Sequence, residues 1–556
     1  MRSVCIVAVL LFGFYTHTVH AQIPNWQWFQ GASGKGQQEG WDVAVDKAKN
    51  VYVIGTSDTF QVTFGNIPIH FTGNATINGG IMSYIVKYSP TGDLIWVKSK
   101  MNVTMTGIAI DKNDNIFIDG IIDSAQSENI YLAKFDTSGN EIWQNNSICT
   151  NNNTNTVATD NEGNIYVGGC FFTDSMTIGS FTLVNPYYAN APSYVSSFLA
   201  KYDPSGNPIW VKPISASSVG LVQENALAID NNNNIYVGGY LSGDSISVGG
   251  ILLSAPTATS GSFFLARYDT SGNVIWANAS NGDSYDVIVD ITTDGMGNIY
   301  VTGSFSSDSL SFGSYTLYNP VPQGFGSPFN NFFAAKYRPN GEALWAKGAI
   351  SPATTGGGCI TSDYYGDVYI TGGYNYSIQF DSIFISDTLS PEPMFIVSYD
   401  SSGNIICAGG LPGGGDDQCG ICADPYGNVY LAGDYEEDTF AVGTDTLFLT
   451  GTENVFSAKF NCGITLTSIN TLNPTPPITV YPNPSGGVFY FSGVESGSTI
   501  EVYDLLGQEI TSPNPFQRRG LDSQYIVDLS GKPVGVYFYR VTDSNNTSHQ
   551  GKIVVE

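Results

Sequence analysis

The sequence predicts an all-β protein, in which an array of seven like units is followed by a small antiparallel sandwich. Two repeated phrases and an incomplete unit at each end of the array predict this class. The first phrase is ten residues long and recurs seven times, at spacings of 49 to 70 residues, in copies such as DNEGNIYVGG and DPYGNVYLAG. A self-similar period of this size indicates an array of like structural units.

The first phrase predicts a tight turn between two strands. In the second copy the strand Gly107–Ile110 precedes the turn and the strand 115–118 follows it. Asp can accept a hydrogen bond from a backbone N–H two residues on, and Gly or Asn can take a positive φ. The phrase therefore predicts a hairpin. We interpret its leading Asp as a structural turn position in every copy: Asp46, Asp111, Asp160, Asp230, Asp294, Asp363 and Asp424.

A second phrase, such as FLAKYDPSGNPIW (Phe198–Trp210), predicts two more strands joined by a Ser-Gly-Asn turn. Each unit then supplies four principal strands: a small-residue strand, a Tyr-Val strand, a Lys-Tyr strand and a Trp strand. A variable hairpin lies between the second and third, and the second unit lacks most of it. In the sixth unit Cys407 takes the position of the Trp.

The ends of the array indicate how it closes. The seventh unit reaches a Lys-Phe strand at Asn454–Phe460 and then has no Trp strand, whereas the N-terminus begins with an isolated one at Asn25–Phe29. Small residues such as Ala44 place the first strand of each unit innermost. Four-stranded antiparallel sheets repeated about an axis form a β-propeller. We therefore predict a seven-bladed β-propeller over residues 22–463, closed by the N-terminal strand, which removes open edges.

The two phrases resemble the SBBP repeats of bacterial secreted proteins. The resemblance rests on the Asp-to-Gly phrases and the Lys-Tyr-Asp-to-Trp phrases quoted above, and covers residues 22–462. It implies a seven-bladed propeller. It implies no single activity, because that family has none.

Segments outside the array predict secretion. Arg2 precedes the apolar run Val4–Tyr15, and Val19-His20-Ala21 has the small-x-small form of a cleavage site. We predict a signal peptide over residues 1–21, cleaved between Ala21 and Gln22, and no membrane span. A Thr- and Pro-rich linker is predicted at 464–477, followed by a β-sandwich domain at 478–556.

The tail resembles the type A C-terminal sorting domain of the type IX secretion system of Bacteroidota. The resemblance rests on a YPNP motif, a turn, a Gly-Val-Tyr strand and a closing Lys-Ile-Val-Val, whose positions are Tyr481, Pro482, Asn483, Pro484, Asp504, Gly507, Gly535, Tyr537 and Lys552. It implies export via the periplasm by the type IX machinery, followed by release or attachment at the outer cell surface. An ordinary accessory sandwich is the alternative.

The charge excludes some partners. With 49 acidic and 21 basic residues the formal net charge is -28, which argues against nucleic acid and against anionic membranes. The charge is interpreted as favouring solubility, with cation binding as the alternative. We expect a monomer.

The sequence offers no catalytic or metal motif that we accept. Cys419-Gly-Ile-Cys422 has redox or zinc spacing but lacks a second ligand pair and a helical context, so a structural disulfide or buried thiols are favoured. Pairing of Cys149 with Cys170 is left open. The Asp111 phrase resembles the start of a calcium loop but lacks its later Gly and Glu, so a plain turn is preferred and no cofactor is expected.

These observations favour a non-catalytic secreted or surface scaffold whose loops bind a glycan, protein or surface partner. Candidate contact loops are Asn185-Pro-Tyr-Tyr188 and Tyr374-Asn-Tyr376. One alternative is a carbohydrate-active hydrolase or lyase with carboxylates on the propeller axis. Another is a structural surface-layer component.

Overall fold

The computed structural model separates into two compact units, Met1–Ile464 and Thr465–Glu556. It describes residues 23–59, 61–70, 82–124, 127–147, 152–185, 195–216, 222–242, 245–254, 261–319, 329–387, 390, 393–411, 420–442, 445–462, 479–481, 483–492, 494, 498–504, 510, 516–517, 525–542 and 548–555. The predicted cleavage site at Ala21 and Gln22 and the predicted linker lie outside these residues.

Strands and turns account for all regular structure in these ranges, and no helix occurs among them, which confirms the all-β prediction. The first half of the first unit contains β1 (Asn25–Gly34), β2 (Gln38–Val45), β3 (Val51–Ser57), β4 (Gln61–Phe64), β5 (Ile67–His70), β6 (Met82–Tyr88), β7 (Leu94–Met101), β8 (Val103–Ile110), β9 (Ile116–Ser124), β10 (Ser127–Phe135), β11 (Glu141–Ser147), β12 (Asn152–Thr159), β13 (Ile165–Phe171), β14 (Ser175–Ile178), β15 (Phe181–Val184), β16 (Ser196–Tyr202), β17 (Pro208–Ala216), β18 (Val222–Ile229), β19 (Ile235–Ser242), β20 (Ser245–Val248) and β21 (Ile251–Ser254).

The second half of the unit continues the same order of strands. It contains β22 (Gly261–Tyr268), β23 (Val274–Ala279), β24 (Asp286–Thr293), β25 (Ile299–Phe305), β26 (Ser309–Phe312), β27 (Tyr315–Tyr318), β28 (Asn331–Tyr337), β29 (Ala343–Gly348), β30 (Thr355–Ser362), β31 (Val368–Tyr374), β32 (Ser377–Phe380), β33 (Ile383–Ser386), β34 (Met394–Tyr399), β35 (Ile405–Leu411), β36 (Gly420–Ala423), β37 (Asn428–Tyr435), β38 (Thr439–Val442), β39 (Asp445–Phe448) and β40 (Asn454–Asn461).

Within the described ranges these strands form seven four-stranded antiparallel groups, which we call sheets I to VII. They are β2-β3-β6-β7, β8-β9-β10-β11, β12-β13-β16-β17, β18-β19-β22-β23, β24-β25-β28-β29, β30-β31-β34-β35 and β36-β37-β40-β1. Along the chain, a short two-stranded hairpin lies between the second and third strands of every sheet except sheet II. In sheet II the next strand after β9 is its partner β10. The predicted order of strands within each unit is therefore present.

The N-terminal strand belongs to the last sheet. β1 lies antiparallel to β40, with Asn25 opposite Asn461 and Gly31 opposite Phe456, as predicted. The first strands of successive sheets contact one another from β2 through β8, β12, β18, β24 and β30 to β36, and β36 also contacts β2. Each sheet thus packs its first strand against its neighbours' first strands, as in a β-propeller.

Neighbouring sheets are joined at a repeated hydrogen-bond position. In sheet III, Lys201 Nζ and Trp210 Nε1 donate to the Thr270 carbonyl of sheet IV at 3.4 and 3.2 Å. Equivalent donor pairs meet one carbonyl of the next sheet elsewhere: Lys87 and Trp96 at Thr137, Arg267 and Trp276 at Pro339, and Lys336 and Trp345 at Ser401. The recurring Lys and Trp therefore hold adjacent sheets together.

A disulfide takes this position between sheets VI and VII. Cys407 stands where the other sheets have Trp, and Cys462 follows β40 at the position that supplies the acceptor carbonyl elsewhere. The two cysteines form a disulfide with a Cα–Cα distance of 5.6 Å. A covalent bond therefore replaces the Trp hydrogen bond at this one boundary.

Short hairpins also cross the boundaries between sheets. Residues 32–34 of β1 pair with β4, and residues 214–216 of β17 pair with β20. Ile350, after β29, exchanges two backbone hydrogen bonds with Gln379 of β32 at 2.9 and 2.8 Å. Each of these hairpins therefore extends the sheet that precedes its own.

The second unit consists of two small sheets. Its strands are β41 (Thr479–Tyr481), β42 (Val488–Ser492), β43 (Thr499–Tyr503), β44 (Phe516–Gln517), β45 (Tyr525–Asp528), β46 (Gly535–Thr542) and β47 (Ser548–Val555). They pair in the orders β41-β42-β45-β44 and β43-β46-β47. Phe489, Phe491, Val502 and Ile553 are buried in one core shared by the two sheets, as expected for a sandwich.

Candidate functional site

The Asp of the recurring phrase is part of a buried structural network. Asp160 accepts hydrogen bonds from the backbone N–H groups of Glu162 and Asn164 at 3.0 and 2.8 Å, from Asn164 Nδ2 at 2.8 Å and from the Tyr166 hydroxyl at 3.0 Å. Lys201 Nζ lies 3.5 Å from the same carboxylate. Burial, then the charge of Asp160, raises the pKa of Tyr166, so its hydroxyl stays a donor. The network stabilises the turn and has no acceptor left for a substrate.

The inner turns contact one another around the first strands. We call residues 47–50, 112–115, 161–164, 231–234, 295–298, 364–367 and 425–428 the inner-turn ring. Asn161 N donates to Asn233 Oδ1 at 3.0 Å, and Gly295 N donates to the Tyr364 carbonyl at 3.1 Å. Lys47 N donates to Asp114 Oδ1 at 3.2 Å. Variable positions that are far apart in sequence therefore form one surface.

One arc of the inner-turn ring is aromatic. Tyr364, Tyr365 and Tyr426 are 56%, 47% and 70% exposed, and Met296 beside them is 78% exposed. The Tyr364 and Tyr365 rings meet edge to face, with centroids 5.5 Å apart. An exposed group of large side chains in consecutive turns is typical of a contact surface.

The adjoining arc carries lysines. Lys49 Nζ lies 4.4 Å from the centroid of the Tyr426 ring and 3.1 Å from the Asp424 carboxylate. Lys47 and Lys112 are exposed in neighbouring turns, and Lys47 Nζ donates to the Lys112 carbonyl. The aromatic arc and the lysine arc therefore meet at Tyr426 and Lys49.

Two carboxylates lie on the first strands, away from the turns. Asp42 and Asp290 directly follow the β-bulges of β2 and β24. Asp42 accepts backbone N–H bonds from Val43 and, across the sheet boundary, from Ile108 at 2.7 and 2.9 Å, and Asp290 makes the equivalent bonds at 2.7 and 2.8 Å. Burial raises the pKa of both to about 7, and the charge of Asp42 contributes to the rise at Asp290.

Two tyrosines and a buried aspartate lie at the end of sheets IV and V that is opposite the inner-turn ring. Tyr240 and Tyr285 pack with ring centroids 4.8 Å apart. Beside Tyr285, Asp286 accepts a hydrogen bond from Ser307 Oγ at 2.8 Å, and burial raises its pKa to about 7. Of the predicted contact loops, Asn185 and Tyr374 are buried and Asn375 and Tyr376 are exposed, while residues 186–188 lie outside the described ranges.

The cysteines that the structure describes give no sign of redox chemistry. Burial raises the pKa of the Cys422 thiol to about 12, which disfavours the reactive thiolate. Cys419 and Cys149 lie outside the described residues, and Cys170 is buried in β13. The Cys407–Cys462 bond was not predicted from the sequence. Alignment of the second phrase across units gave a signal, because Cys407 and Cys462 occupy the two positions that Trp and its acceptor residue occupy elsewhere.

In the tail, Asn483 links the YPNP motif to the last strand. Its Nδ2 donates to the Lys552 carbonyl and its Oδ1 accepts from Val554 N, both at 2.9 Å. The Tyr537 hydroxyl donates to the Pro533 carbonyl at 2.6 Å. The motif residues Asn483 and Lys552 thus lie together, and Gly535 pairs with Val555 of the same last strand. Pro482 and Gly507 fall outside the described ranges.

Over the described ranges, no three His, Cys, Asp or Glu side chains are grouped so that they could hold a metal ion. The same residues contain no helix of the length and apolarity needed to cross a membrane.

Residues 479–556 match the family model described as the secretion system C-terminal sorting domain. The tail is therefore a sorting domain, and the chain is exported through the type IX secretion system to the cell surface or extracellular space. The type IX secretion machinery is its partner in export.

The other similarities of the chain are weak. The chain is 24% identical over 375 residues to an uncharacterized WD repeat-containing protein of Acanthamoeba polyphaga mimivirus, a match that covers 55% of this chain and 26% of that protein. Among solved structures it is similar to the Dos1 propeller, with a TM-score of 0.38 at 8% identity over 78% of this chain and 94% of the other. The polysaccharide lyase Uly1 gives a TM-score of 0.37 at 10% identity over 77% and 90%.

Proposed function

We propose that this secreted β-propeller protein is a non-catalytic binding protein that holds an acidic polysaccharide against the inner-turn ring. The observation that carries the proposal is the junction of exposed tyrosines with lysines in turns of adjacent sheets. Tyr426 and Lys49 form this junction.

The two arcs offer complementary chemistry. Tyrosine rings present a flat apolar face and a polar hydroxyl at low conformational cost, which suits a sugar ring with its C–H face and hydroxyl groups. The ammonium groups of Lys47 and Lys112 suit carboxylate or sulfate groups on the same polymer. The remaining surface favours this location, because a chain with a formal net charge of -28 repels a polyanion elsewhere.

The repeated carboxylates support a non-catalytic role. Each described copy of the phrase uses its Asp in turn hydrogen bonds, and sheets I, III and V add a Lys partner. A general base needs a proton-accepting atom within reach of the substrate, and a general acid needs a proton-donating one. Those residues bind their own turns instead.

The test measures binding of the full exported chain to a uronate polymer, a sulfated polymer and a neutral glucan by calorimetry. We expect binding to the acidic polymers that weakens with salt. Tyr364→Ala combined with Tyr426→Ala should abolish it, and Lys47→Ala combined with Lys112→Ala should weaken it and reduce the salt dependence. Tyr318→Ala is the matched control, because Tyr318 is exposed on the outer strand β27, away from the ring. Equal loss in the control, or equal binding of the neutral glucan, would refute the proposal.

Asp42 and Asp290 favour a second candidate, a polysaccharide hydrolase or lyase acting at the first strands. A pKa near 7 suits a group that exchanges protons at neutral pH. The test incubates each polymer with the chain and measures new reducing ends and unsaturated products. Chain cleavage that Asp42→Asn and Asp290→Asn abolish would establish the enzyme, whereas cleavage that both variants retain would exclude these residues.

A further inference from the structure

In sheets I, III and V, a lysine of the third strand and a tyrosine of the second strand share the turn carboxylate. In sheet I the Tyr52 hydroxyl donates to Asp46 at 3.0 Å, and Lys87 Nζ lies 3.9 Å from the same carboxylate. The corresponding distances are 3.0 and 3.5 Å in sheet III and 3.0 and 3.9 Å in sheet V. Each of these buried carboxylates therefore has an ammonium and a hydroxyl from its own sheet.

Sheet VII contains the same residue types in the same register but pairs them differently. Lys459 stands opposite Tyr430, as the lysine and tyrosine do in the other three sheets. However, Lys49 of sheet I lies 3.1 Å from the Asp424 carboxylate. Within the described ranges the buried Lys459 ammonium forms neither an ion pair nor a hydrogen bond, and the buried Tyr430 hydroxyl has no partner. Two ammonium groups are therefore available for one carboxylate.

Lys49 reaches Asp424 from an unusual backbone position. It is the fourth residue of its phrase and has a φ of 66°, in the left-handed region that disfavours long side chains. Glycine occupies this position in four other phrases, each time with a positive φ: Gly163, Gly297, Gly366 and Gly427. A strained residue of this kind is a candidate for a functional role. The Lys49 side chain is 37% exposed, whereas Lys459 is buried, so Lys49 is the lysine that a ligand at the surface can reach.

The unpaired groups of sheet VII allow a second arrangement of the same residues. When Lys49 leaves Asp424, Lys459 and the Tyr430 hydroxyl can take the positions that their equivalents hold in sheets I, III and V. Burial lowers the pKa of Lys459, the charge of Asp424 raises it and the charge of Lys49 lowers it. Departure of Lys49 therefore removes a repulsion and gives two buried donors an acceptor. Release of Lys49 costs less free energy than breaking a buried ion pair that has no replacement.

We infer that Lys49 binds an anionic group of the ligand and that Lys459 replaces it on Asp424 when it does so. This inference rests on the proposed polysaccharide surface, in which Lys49 lies beside Tyr426. The ligand group is a carboxylate or a sulfate, because both present anionic oxygens to an ammonium. The turn carboxylate keeps one ammonium partner in the free and in the bound arrangement, so ligand binding leaves no buried charge unpaired.

The exchange of lysines is tested first without ligand, by melting temperatures of the full chain. Lys459→Met should leave the melting temperature of the wild type unchanged or raise it, because the ammonium that it removes has no ionic partner. In a Lys49→Gly background the same substitution should lower it by about 4 °C, because Asp424 then loses its replacement ammonium. Lys336→Met, the equivalent change in sheet V, is the matched control. It should lower the melting temperature equally in both backgrounds, because Asp294 has no second lysine.

Calorimetry with polygalacturonate and with dextran sulfate then tests the ligand. Lys49→Gly should lower the affinity about tenfold, since it removes one charge-assisted hydrogen bond. Lys459→Met should lower the affinity by the same factor although Lys459 is buried, because Lys49 then stays on Asp424. The variant with both substitutions should lose no more than either single variant. Lys336→Met should bind both polymers as the wild type does.

Two results would overturn the inference. One is an equal effect of Lys459→Met on the melting temperature in both backgrounds, because Lys459 would then not replace Lys49, even if both polymers bind. The other is an affinity that Lys49→Gly lowers and Lys459→Met leaves unchanged, because Lys49 would then bind the ligand without the exchange. A background-dependent effect of Lys459→Met without binding of either polymer would refute the proposed function and support only the exchange of lysines.

Discussion

The Cys407–Cys462 disulfide should contribute a measurable part of the stability of the first unit. The bond joins residues 55 positions apart in the chain. In the chain-entropy description, closing a loop of this length lowers the entropy of the unfolded chain by an amount worth about 4 kcal/mol at 25 °C. The bond also joins sheet VI to the sheet that β1 completes, so its loss weakens the boundary next to the N-terminal strand.

Removal of the disulfide should therefore lower the melting temperature of the first unit. At about 2.1 cal/mol/K per residue, the first unit gains roughly 0.9 kcal/mol/K of entropy on unfolding, so a loss of about 4 kcal/mol lowers the melting temperature by about 4 °C. The assay is calorimetry of Cys407→Ala combined with Cys462→Ala, beside the wild type with and without a thiol reductant. Reduction should shift the wild type by the same amount and leave the variant unchanged.

Two outcomes would refute this reasoning. The variant could melt within about 1 °C of the wild type, which would show that the bond constrains the unfolded chain far less than its loop length predicts. Alternatively, the reductant could lower the melting temperature of the variant as much as that of the wild type. The stabilising bond would then lie among the other cysteines.

Three further outcomes test single contacts. Asp160→Ala leaves the buried Lys201 ammonium unpaired, so the free energy of unfolding in urea should fall by about 3–5 kcal/mol; a loss near zero would contradict the structural role of the phrase. Trp210→Phe removes the hydrogen bond to the Thr270 carbonyl and should lower the free energy of unfolding by about 1 kcal/mol in the same assay. Trp143→Phe should lower it less, because Trp143 Nε1 has no partner in the described ranges. Equal losses would show that the hydrogen bond to the carbonyl is not the cause of the loss. Asn483→Ala removes both bonds to the last strand, so export measured by immunoblot of cells and medium should fall; unchanged export would show that this contact is dispensable.

The repeat made much of the fold predictable because its residues bond locally. The hydrogen bonds of Asp160 to Glu162 and Asn164 span two to four residues, so the phrase alone specifies them. The pairing of β1 with β40 spans the whole first unit, yet it could be predicted because an isolated Trp strand and an incomplete last unit complement each other.

The candidate site was less predictable because contacts between turns of different sheets create it. From the sequence, the contact residues were expected in the loops that do not repeat and not in the phrase. The structure changes that emphasis: Tyr364 and Tyr426 occupy variable positions inside the phrase, and only the contacts between inner turns bring them near Lys49. Asp42 and Asp290 likewise lie in different sheets, and no spacing in the sequence indicates that the charge of Asp42 raises the pKa of Asp290.

The substitutions in sheet VI are best understood as one coupled change. Ser398 and Cys407 are opposite each other on β34 and β35. The other sheets pair Lys with Trp at this position, except sheet IV, which pairs Arg267 with Trp276. The disulfide replaces the mechanical role of Trp, since it joins the same two sheets. It carries no charge, so it cannot replace the ammonium that neutralises the turn carboxylate. Sheet VI therefore has Asp363 and Asp367 in its inner turn and no lysine at the position that supplies the ammonium in sheets I, III and V. Because these residues are in contact, the effects of mutating Ser398 and Cys407 should not add.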